Sequence, residues 1–522
     1  MKSIKEISLD QVTKEKVYWN CSRPIEQELM YFLLIDRFHD GKDRVPISEE
    51  SFKKGFGNED ALKVRCGGTI QGIIKHLEYI SELGFTSIWI NPFLQNSPES
   101  YHGYAIEDFL NVDEQWGTED DIIMLVAKAH QLNMRIFFDV VLNHTANTWH
   151  YQSSNPVYNK GIHYTTTKWR YPEKPVPIEL RDFNRYSRKG HIVHWDNVPE
   201  TWDGDIFELK DLILDESFIG KQNLDLMTTI YSYWVAKTDC DGFRIDTAKH
   251  IRPEVLNTFI KQIRSFTESI GKKSFFIFTE IVGDQKNIDL YDAADGYLDF
   301  PFQFTFIENL LGKRTGEFSV SKSSKGLVPV RFLDNHDQIG QMPKQRIGYD
   351  LTNTAFQNVL KAFVLLPGIP CLYYGTEQGL QGNGYHDGMI RECMFDSLYQ
   401  YDLMDTQSVF YSTIKKFITL RKQWKTEKGQ ITVCKVSFEK QETSEVVAIL
   451  LENDLLIRLV IYNLGDKLQE VSIKLNSKIT RNSNLIVYLY ADDGNVRGAL
   501  TCKNNEINMQ VDAFGFYVLE FN

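Results

Sequence analysis

Near its middle the chain reads Gly242-Phe243-Arg244-Ile245-Asp246-Thr247-Ala248-Lys249-His250, an apolar, β-prone segment that stops at charged residues. Arg244 and Asp246 are two residues apart, so on a strand their side chains point to the same face. A guanidinium beside a carboxyl group favours the ionised carboxylate. The pattern therefore predicts a strand that ends on an ionised aspartate, which is the state that a nucleophile requires.

Two other apolar runs also end on acids. Ser274–Phe278 leads to Glu280, and Arg331–Leu333 leads to a cluster of polar residues that closes on Asp337. Neighbouring strands of a parallel sheet end at the same edge of the sheet. In enzymes built on a barrel of parallel strands, the active site lies at this edge. We therefore expect Asp246, Glu280 and Asp337 to share one site.

The composition is that of a large globular protein. The chain has 522 residues, of which 42% are apolar, and a net charge of −12. This charge disfavours binding to a phosphate backbone, and the sequence contains no long block of Lys or Arg. No stretch reaches the roughly 18 apolar residues of a membrane span, and the N-terminal residues lack the apolar core of a signal peptide. We expect a cytoplasmic protein without a nucleic-acid or membrane partner.

The cysteines give no sign of a metal site. The seven cysteines are scattered, odd in number and without a CxxC pair. This spacing predicts neither a zinc site nor a full set of disulfides.

Apolar runs recur along the first four-fifths of the chain and alternate with helical patterns. Near-continuous apolar strands between amphipathic helices predict a parallel sheet that is covered by helices. Eight such units predict an α/β fold, a (β/α)8 TIM barrel. The candidate strands are Met30–Ile35, Ser87–Ile90, Arg135–Leu142, Gly242–Ile245, Ser274–Phe278, Tyr297–Phe302, Pro329–Leu333 and Ile369–Tyr374.

Two regions depart from the alternation. Residues 145–205 follow the third strand, lack a sustained period and are rich in aromatic residues, so we expect a small inserted domain there. After residue 424 short alternating runs replace the helical pattern, which predicts a C-terminal antiparallel β-sandwich over 425–522. The barrel is then expected to comprise 1–144 and 206–424.

Carboxyl groups gathered at one site can catalyse glycoside hydrolysis. A retaining glycosidase needs one ionised carboxylate as nucleophile and one protonated carboxyl as acid. Asp246 lies near Arg244 and is expected to be ionised, whereas Glu280 follows an aromatic run that raises a carboxyl pKa. Asp337 and His336 are expected to hold sugar hydroxyls. Metal-dependent hydrolysis is the rival interpretation, but no HxH or HExxH spacing occurs.

Four stretches resemble, in order, the four signature motifs of the α-amylase family, glycoside hydrolase family 13: Phe138–His144, Gly242–His250, Phe278–Glu280 and Phe332–Asp337. The resemblance implies that Asp246 is the nucleophile, Glu280 the acid/base and Asp337 the third acid at subsite −1. It implies further substrate contacts from Tyr104, His144, Arg244, Lys249, His250, His336, Asp387 and Arg391, with Lys249 and His250 at the aglycone subsites. For Asp139 we expect mainly a supporting role.

Calcium is the cofactor that the resemblance suggests. Family members with a calcium ion between barrel and inserted domain use residues like Asn143, an aspartate that Asp211 matches here, and the carbonyl oxygen of a histidine like His250. The loop of residues 36–41 is a candidate for a second cation.

The leading hypothesis is a retaining hydrolase of α-1,4-glucosidic bonds in starch-like glucans and maltodextrins, because Thr247–His250 resembles amylases more than other branches of the family. Its expected partner is an α-glucan or a maltooligosaccharide. A 4-α-glucanotransferase and an exo-acting α-glucosidase remain alternatives because they share the motifs. A non-catalytic carbohydrate-binding homologue is a third hypothesis, since a fold alone does not guarantee activity.

Overall fold

A computed structural model gives the architecture. It describes residues 1–47, 63–312, 318–319, 323–339, 342–396, 400–438, 441–442, 445–452, 457–475, 484–490, 496–503 and 505–521. Within this part of the chain, none of the helices has the length and apolar character of a membrane span.

Eight parallel strands close into a barrel, as the sequence predicts. Each pairs with the next in chain order, and β8 pairs with β1. The strands are β1 Met30–Leu33, β2 Ser87–Ile90, β3 Arg135–Val140, β4 Gly242–Ile245, β5 Phe276–Thr279, β6 Gly296–Leu298, β7 Val328–Phe332 and β8 Ile369–Tyr373. Both faces of this sheet are covered, which explains why the strands are apolar at nearly every position.

Helices surround the barrel between successive strands. Pro253 opens one of them, and the side chains from Val255 to Ile263 that face the barrel are buried. The main helices are Ile70–Lys75, Leu77–Leu83, Glu119–Gln131, Phe218–Thr238, Pro253–Ser269, Phe300–Leu310, Asn353–Leu365 and Val409–Trp424, with shorter ones at Leu9–Thr13, Ile35–Phe38, Glu200–Asp203 and Gln285–Ile288.

One predicted strand is divided in the structure. The apolar run over 297–302 contains the end of β6 and the start of the helix Phe300–Leu310. The Asp299 side chain accepts a hydrogen bond from the backbone N–H of Phe302, and Pro301 lies in the first turn. The Asp299 N-cap and Pro301 begin a helix at residues whose hydropathy alone predicts that the strand continues.

The segment after β3 carries short ladders rather than long elements. His144–Thr145 pairs antiparallel with Lys210–Asp211, and Trp149–Tyr151 pairs with Thr166–Trp169. The first of these ladders brings Asp211 beside the end of β3. Other short pairs are Leu94–Asn96 with Ile106–Val112, Val45–Pro46 with Tyr401–Asp402, and Lys344–Gln345 with Asn383–Gly384.

The C-terminal strands form an antiparallel assembly that packs on the barrel. Along Val446–Glu452, alternate side chains belong to two cores: Val447 and Ile449 pack in the barrel core, whereas Ala448 and Leu450 pack in a second core. Its strands are Phe318–Ser319, Gln430–Val433, Lys435–Phe438, Gln441–Glu442, Val446–Glu452, Ile457–Asn463, Gln469–Lys474, Asn484–Tyr490, Val496–Lys503, Glu506–Val511 and Phe516–Phe521.

We predict that Gly242→Ala destabilises the protein by about 1–3 kcal/mol, because overpacking a tight core strains it. An added Cβ would lie 2.0 Å from the carbonyl oxygen of Phe276 and 2.8 Å from the Phe137 ring. Urea unfolding measures the effect. Gly161→Ala is the matched control, because its Cβ would meet nothing closer than 3.6 Å. Equal stability of the two variants would contradict the close packing of β4.

Candidate active site

The guanidinium group of Arg244 on β4 is the centre of the site. It is fully buried, and its Nη1 atom donates hydrogen bonds to Oδ1 of Asp139, at 2.8 Å, and to Oδ1 of Asp246, at 2.7 Å. Its Nη2 atom lies 2.9 Å from Oε1 of Glu280. One cation therefore serves three carboxyl groups at the ends of β3, β4 and β5.

Asp139 is the best satisfied of the three acids. Besides Arg244, its Oδ2 atom accepts hydrogen bonds from the indole of Trp89, at 3.0 Å, and from the hydroxyl of Tyr104, at 2.9 Å. Hydrogen bonds to a carboxylate favour its ionised form. Burial nevertheless raises the pKa of Asp139 to about 6 against the effect of Arg244.

Asp246 and Glu280 have closely similar environments. Burial raises the pKa of each to about 7, against the charge of Arg244. Oε2 of Glu280 also accepts a hydrogen bond from the backbone N–H of Thr247, at 2.8 Å. Thr247 has a φ of 47°, a left-handed conformation that turns the chain directly after Asp246.

The pKa shift of Asp246 is opposite in direction to the expectation from the sequence that Arg244 holds this carboxylate ionised. The direction of its pKa shift is upward, because one positive charge is divided among three desolvated carboxyls. Burial thus shifts both carboxyl groups toward their protonated forms, against the charge of Arg244. Retaining glycoside hydrolysis in general requires one protonated and one ionised carboxyl group.

Asp337 is held from the side of β8. Its Oδ1 atom accepts a hydrogen bond from Nη2 of Arg391, at 2.8 Å, and His336 Nε2 lies 3.2 Å from its Oδ2 atom. The same arginine donates to the carbonyl oxygen of His336, at 2.7 Å, and lies 3.4 Å from Asp387. The loops after β7 and β8 are thus joined by one guanidinium group.

His144 presents a free acceptor within the site. Burial lowers its pKa to about 4, so the ring is neutral at pH 7. Its Nε2 atom lies 3.2 Å from the carbonyl oxygen of Tyr104 and must donate to it, which leaves Nδ1 unprotonated. That Nδ1 atom is buried without a partner. The Tyr104 ring lies nearly parallel to the His336 ring, with centroids 5.1 Å apart.

Lys249 and His250 lie beyond Asp246, beside the segment inserted after β3. Lys249 Nζ contacts the exposed carboxylate of Asp196 at 2.5 Å. His250 Nδ1 lies 2.9 Å from the carbonyl oxygen of Thr201, and burial lowers the pKa of this histidine to about 4. The edge of the Trp195 ring faces it at 5.8 Å.

The candidate calcium ligands include an unpaired buried acid. Asp211 is fully buried, and neither of its carboxylate oxygens has a hydrogen-bond partner. Burial, reinforced by Asp205 and Asp203, raises its pKa well above the ordinary value. The amide nitrogen of Asn143 is also buried without a partner, and the Asn143 carbonyl accepts the N–H of Leu212. An oxygen-rich, desolvated site of this kind suits a hard cation.

The loop after β1 offers less to a cation. The Asp36 carboxylate already accepts the backbone N–H groups of Cys66 and Gly67, at 2.8 and 3.1 Å. In the described residues one group of three potential ligands occurs, His39, His76 and Asp402. His39 Nδ1 accepts the N–H of Gly41, so its Nε2 carries the proton and donates toward Asp402 instead of binding a metal.

Some contacts of the site were not predicted from the sequence. Trp89 lies in the middle of an apolar run, and only the tertiary structure aims its indole N–H at Asp139. Tyr101 lies under the guanidinium of Arg37, 3.9 Å from ring centroid to carbon, and its hydroxyl is 3.4 Å from Arg391. The sequence did contain a signal for Tyr101, because this residue flanks the same short loop as Tyr104, which was predicted to contact the substrate.

Comparison with known proteins gives the family. The family profile "Alpha amylase, catalytic domain" matches residues 32–398. The chain is 30% identical to an alpha-amylase of Streptomyces lividans over 396 residues, which are 63% of this chain and 42% of that protein. It is 27% identical to a cyclomaltodextrin glucanotransferase of Klebsiella oxytoca over 485 residues, which are 81% of this chain and 70% of that protein.

The fold agrees with these relatives. The alpha-amylase of Geobacillus thermoleovorans, solved with acarbose, superposes with a TM-score of 0.70 at 22% identity and covers 96% of this chain and 99% of its own. A (β/α)8 barrel with acids at its strand ends defines the class of barrel glycosidases. The chain belongs to the alpha-amylase family of glycoside hydrolases.

We predict that Asp246→Asn stabilises the fold, and more so at higher pH. Folding raises the pKa of Asp246 from 3.8 to about 7, so ionising this group in the folded state costs free energy that grows through this interval and is complete above it. The gain in melting temperature should reach several degrees near pH 8 and shrink near pH 5. Asp225→Asn, at an exposed helix position, is the control. A pH-independent difference would refute the raised pKa.

Proposed function

We propose that the protein is a retaining hydrolase of α-1,4-glucosidic bonds in α-glucans and maltooligosaccharides. The single observation that carries the proposal is the contact of Asp246 and Glu280 with one buried guanidinium, in surroundings that raise the pKa of both carboxyl groups. Paired carboxyls in opposite protonation states are what this reaction uses.

In the proposed reaction Asp246 attacks the anomeric carbon and Glu280 donates its proton to the departing glycosidic oxygen. Glu280 then removes a proton from water, which displaces Asp246 from the sugar. Arg244 stays fixed by Asp139 and stabilises the carboxylate that is ionised at each stage. Asp337 is oriented by Arg391 toward the sugar ring at subsite −1.

The polar groups around this pocket suit a sugar ring. His144 offers its unprotonated Nδ1 atom to one hydroxyl, and the buried Nδ1 atom of His336 is a second unpartnered group. Tyr104 supplies an aromatic surface beside them, which complements the C–H face of a pyranose. Lys249 and His250 follow Asp246 in the chain beside the segment after β3, and would contact the aglycone portion of a longer chain.

We predict that Asp246→Asn lowers kcat on maltoheptaose at least roughly 1000-fold while glucan binding persists, because the amide cannot attack the anomeric carbon. Glu280→Gln should lose about 100- to 10,000-fold, the usual contribution of a general acid. It should recover part of the first step on 4-nitrophenyl maltoside, whose leaving group needs no protonation. Equal losses on both substrates would exclude Glu280 as the acid.

A second candidate function is transfer of the glycosyl unit to another sugar. Two exposed aromatic side chains favour it; they lie near Lys249 and His250, on what we call the acceptor side. Phe207 is 71% exposed and Trp195 37% exposed, with ring centroids 5.4 Å apart and Trp195 facing His250. Apolar platforms bind the C–H faces of an incoming glucan and displace water from the intermediate. The glucanotransferase relative of Klebsiella oxytoca fits this second function.

We predict that Phe207→Ala shifts products of maltoheptaose toward hydrolysis, because a weakened acceptor site lets water compete for the glycosyl enzyme. Chromatography over time measures the ratio of longer or cyclic glucans to short ones. Phe218→Ala is the control, because Phe218 is 76% exposed at the start of an outer helix. Absence of products longer than maltoheptaose in the wild-type enzyme would exclude the transferase.

We also propose a structural calcium ion bound by Asp211, the side-chain oxygen of Asn143 and the carbonyl oxygen of His250. Two observations support the proposal: the buried Asp211 carboxylate has no hydrogen-bond partner, and neither has the buried side-chain nitrogen of Asn143. Rotation of the Asn143 amide by 180° would exchange this nitrogen for the side-chain oxygen, which can bind a cation. Such an ion would neutralise Asp211 and tie the segment after β3 to β4. It has no role in bond cleavage.

We predict that excess EDTA lowers the melting temperature by several degrees, because a ligand that binds only the folded state stabilises it. Asp211→Asn should lower the melting temperature similarly and remove the effect of EDTA. Asp225→Asn should leave the EDTA effect intact. An unchanged melting curve, together with no calcium by elemental analysis, would exclude the ion.

A further inference from the structure

Cys66 and Cys393 lie together although 327 residues separate them in the sequence. Their Cα atoms are 6.4 Å apart, within the range that a disulfide spans. The remaining five cysteines, Cys21, Cys240, Cys371, Cys434 and Cys502, are buried and take part in no disulfide. Cys66 and Cys393 are both partly exposed, so small thiols and disulfides reach this pair and not the others.

The pair lies next to the part of the active site that contains Asp337 and Arg391, which we call the donor side. Cys393 is two residues after Arg391, the residue that holds Asp337 and the His336 carbonyl. Cys66 follows the segment after β1, and its N–H donates to Asp36. A bond between the two sulfurs therefore joins the loop after β1 to the loop that carries Arg391.

Arg37 connects the sulfurs to the same site. Its Nη1 atom lies 3.1 Å from Sγ of Cys66 and 3.6 Å from Sγ of Cys393, and its guanidinium stacks on Tyr101. The Tyr101 hydroxyl is in turn 3.4 Å from Nη1 of Arg391. A nearby cation stabilises a thiolate, which is the reactive form in disulfide exchange.

We propose that Cys66 and Cys393 form a thiol–disulfide site whose oxidation holds Arg391 on Asp337 and so sets the affinity for the glucan. Its effect on affinity rests on the proposed function. The oxidant is a small disulfide such as oxidised glutathione. One protein thiolate attacks it and releases one small thiol; the second protein thiolate then attacks the mixed disulfide and releases the other. Two protein thiols are oxidised and one small disulfide is reduced.

The loop keeps other attachments when the pair is reduced. Glu392 accepts hydrogen bonds from Arg346 and from the backbone of Gly382, and Met394 N–H donates to the Arg37 carbonyl. Reduction therefore loosens the position of Arg391 without unfolding the barrel. We expect weaker binding of the substrate and a smaller change in turnover.

The first test needs no activity. Purified protein equilibrated with oxidised glutathione, then denatured and titrated with a thiol reagent, should show five free thiols, and seven after dithiothreitol. Peptide mapping without reduction should recover Cys66 linked to Cys393. Seven thiols in the oxidised sample, or a different linked pair, would overturn the site.

The second test measures control of the site. Reduction should raise KM for maltoheptaose roughly threefold to tenfold, with kcat changed less than about twofold, the signature of lost uniform binding. Cys66→Ser and Cys393→Ser should match the reduced wild type and show no response to dithiothreitol, whereas Cys371→Ser, at a buried cysteine outside the disulfide, should keep the response.

Arg391→Ala should abolish the redox difference in KM if this arginine transmits it. Five thiols with an unchanged KM would overturn the control of binding. If no glucan is turned over in either redox state, the proposed function fails while the thiol count still decides the disulfide.

Discussion

The buried guanidinium of Arg244 is the interaction on which the site depends. It touches Asp139, Asp246 and Glu280, which come from three consecutive strands of the barrel. A buried cation is tolerable only with close, hydrogen-bonded partners, and here the partners outnumber it. Burial of three carboxyl groups around one cation shifts the pKa of each of them upward.

The barrel makes this arrangement possible. Parallel pairing of β3, β4 and β5 brings the strand ends into register, with Arg244 opposite Asp139 and Phe278. Gly242 lets β4 approach Phe276 closely, and Thr247 turns the chain so that its N–H meets Glu280. The strands therefore hold Asp139, Arg244 and the acids that directly follow the strands, whereas Asp337 and Arg391 lie on loops of the barrel.

Two sides of the site have different characters. On the donor side, a chain of polar contacts runs from Asp337 through Arg391 and Tyr101 to Arg37 and the paired cysteines. On the acceptor side, Lys249 pairs with an exposed aspartate, and aromatic rings face solvent. On the donor side Arg391 is buried, whereas the side chain of Asp337 is 30% exposed. The acceptor side is more open, with the rings of Phe207 and Trp195 exposed to solvent.

The sequence by itself determined the barrel and the motif acids, because strand hydropathy and strand-end residues are local patterns. It did not determine that the apolar residues 297–302 divide into a strand end and a helix start, because the Asp299 cap and Pro301 favour a helix where hydropathy predicts a strand. The raised pKa of Asp246, the contact of Trp89 with Asp139 and the approach of Cys66 to Cys393 were decided only by the tertiary structure. Desolvation and charge sharing are sums over groups that are far apart in the sequence, so no local pattern records them.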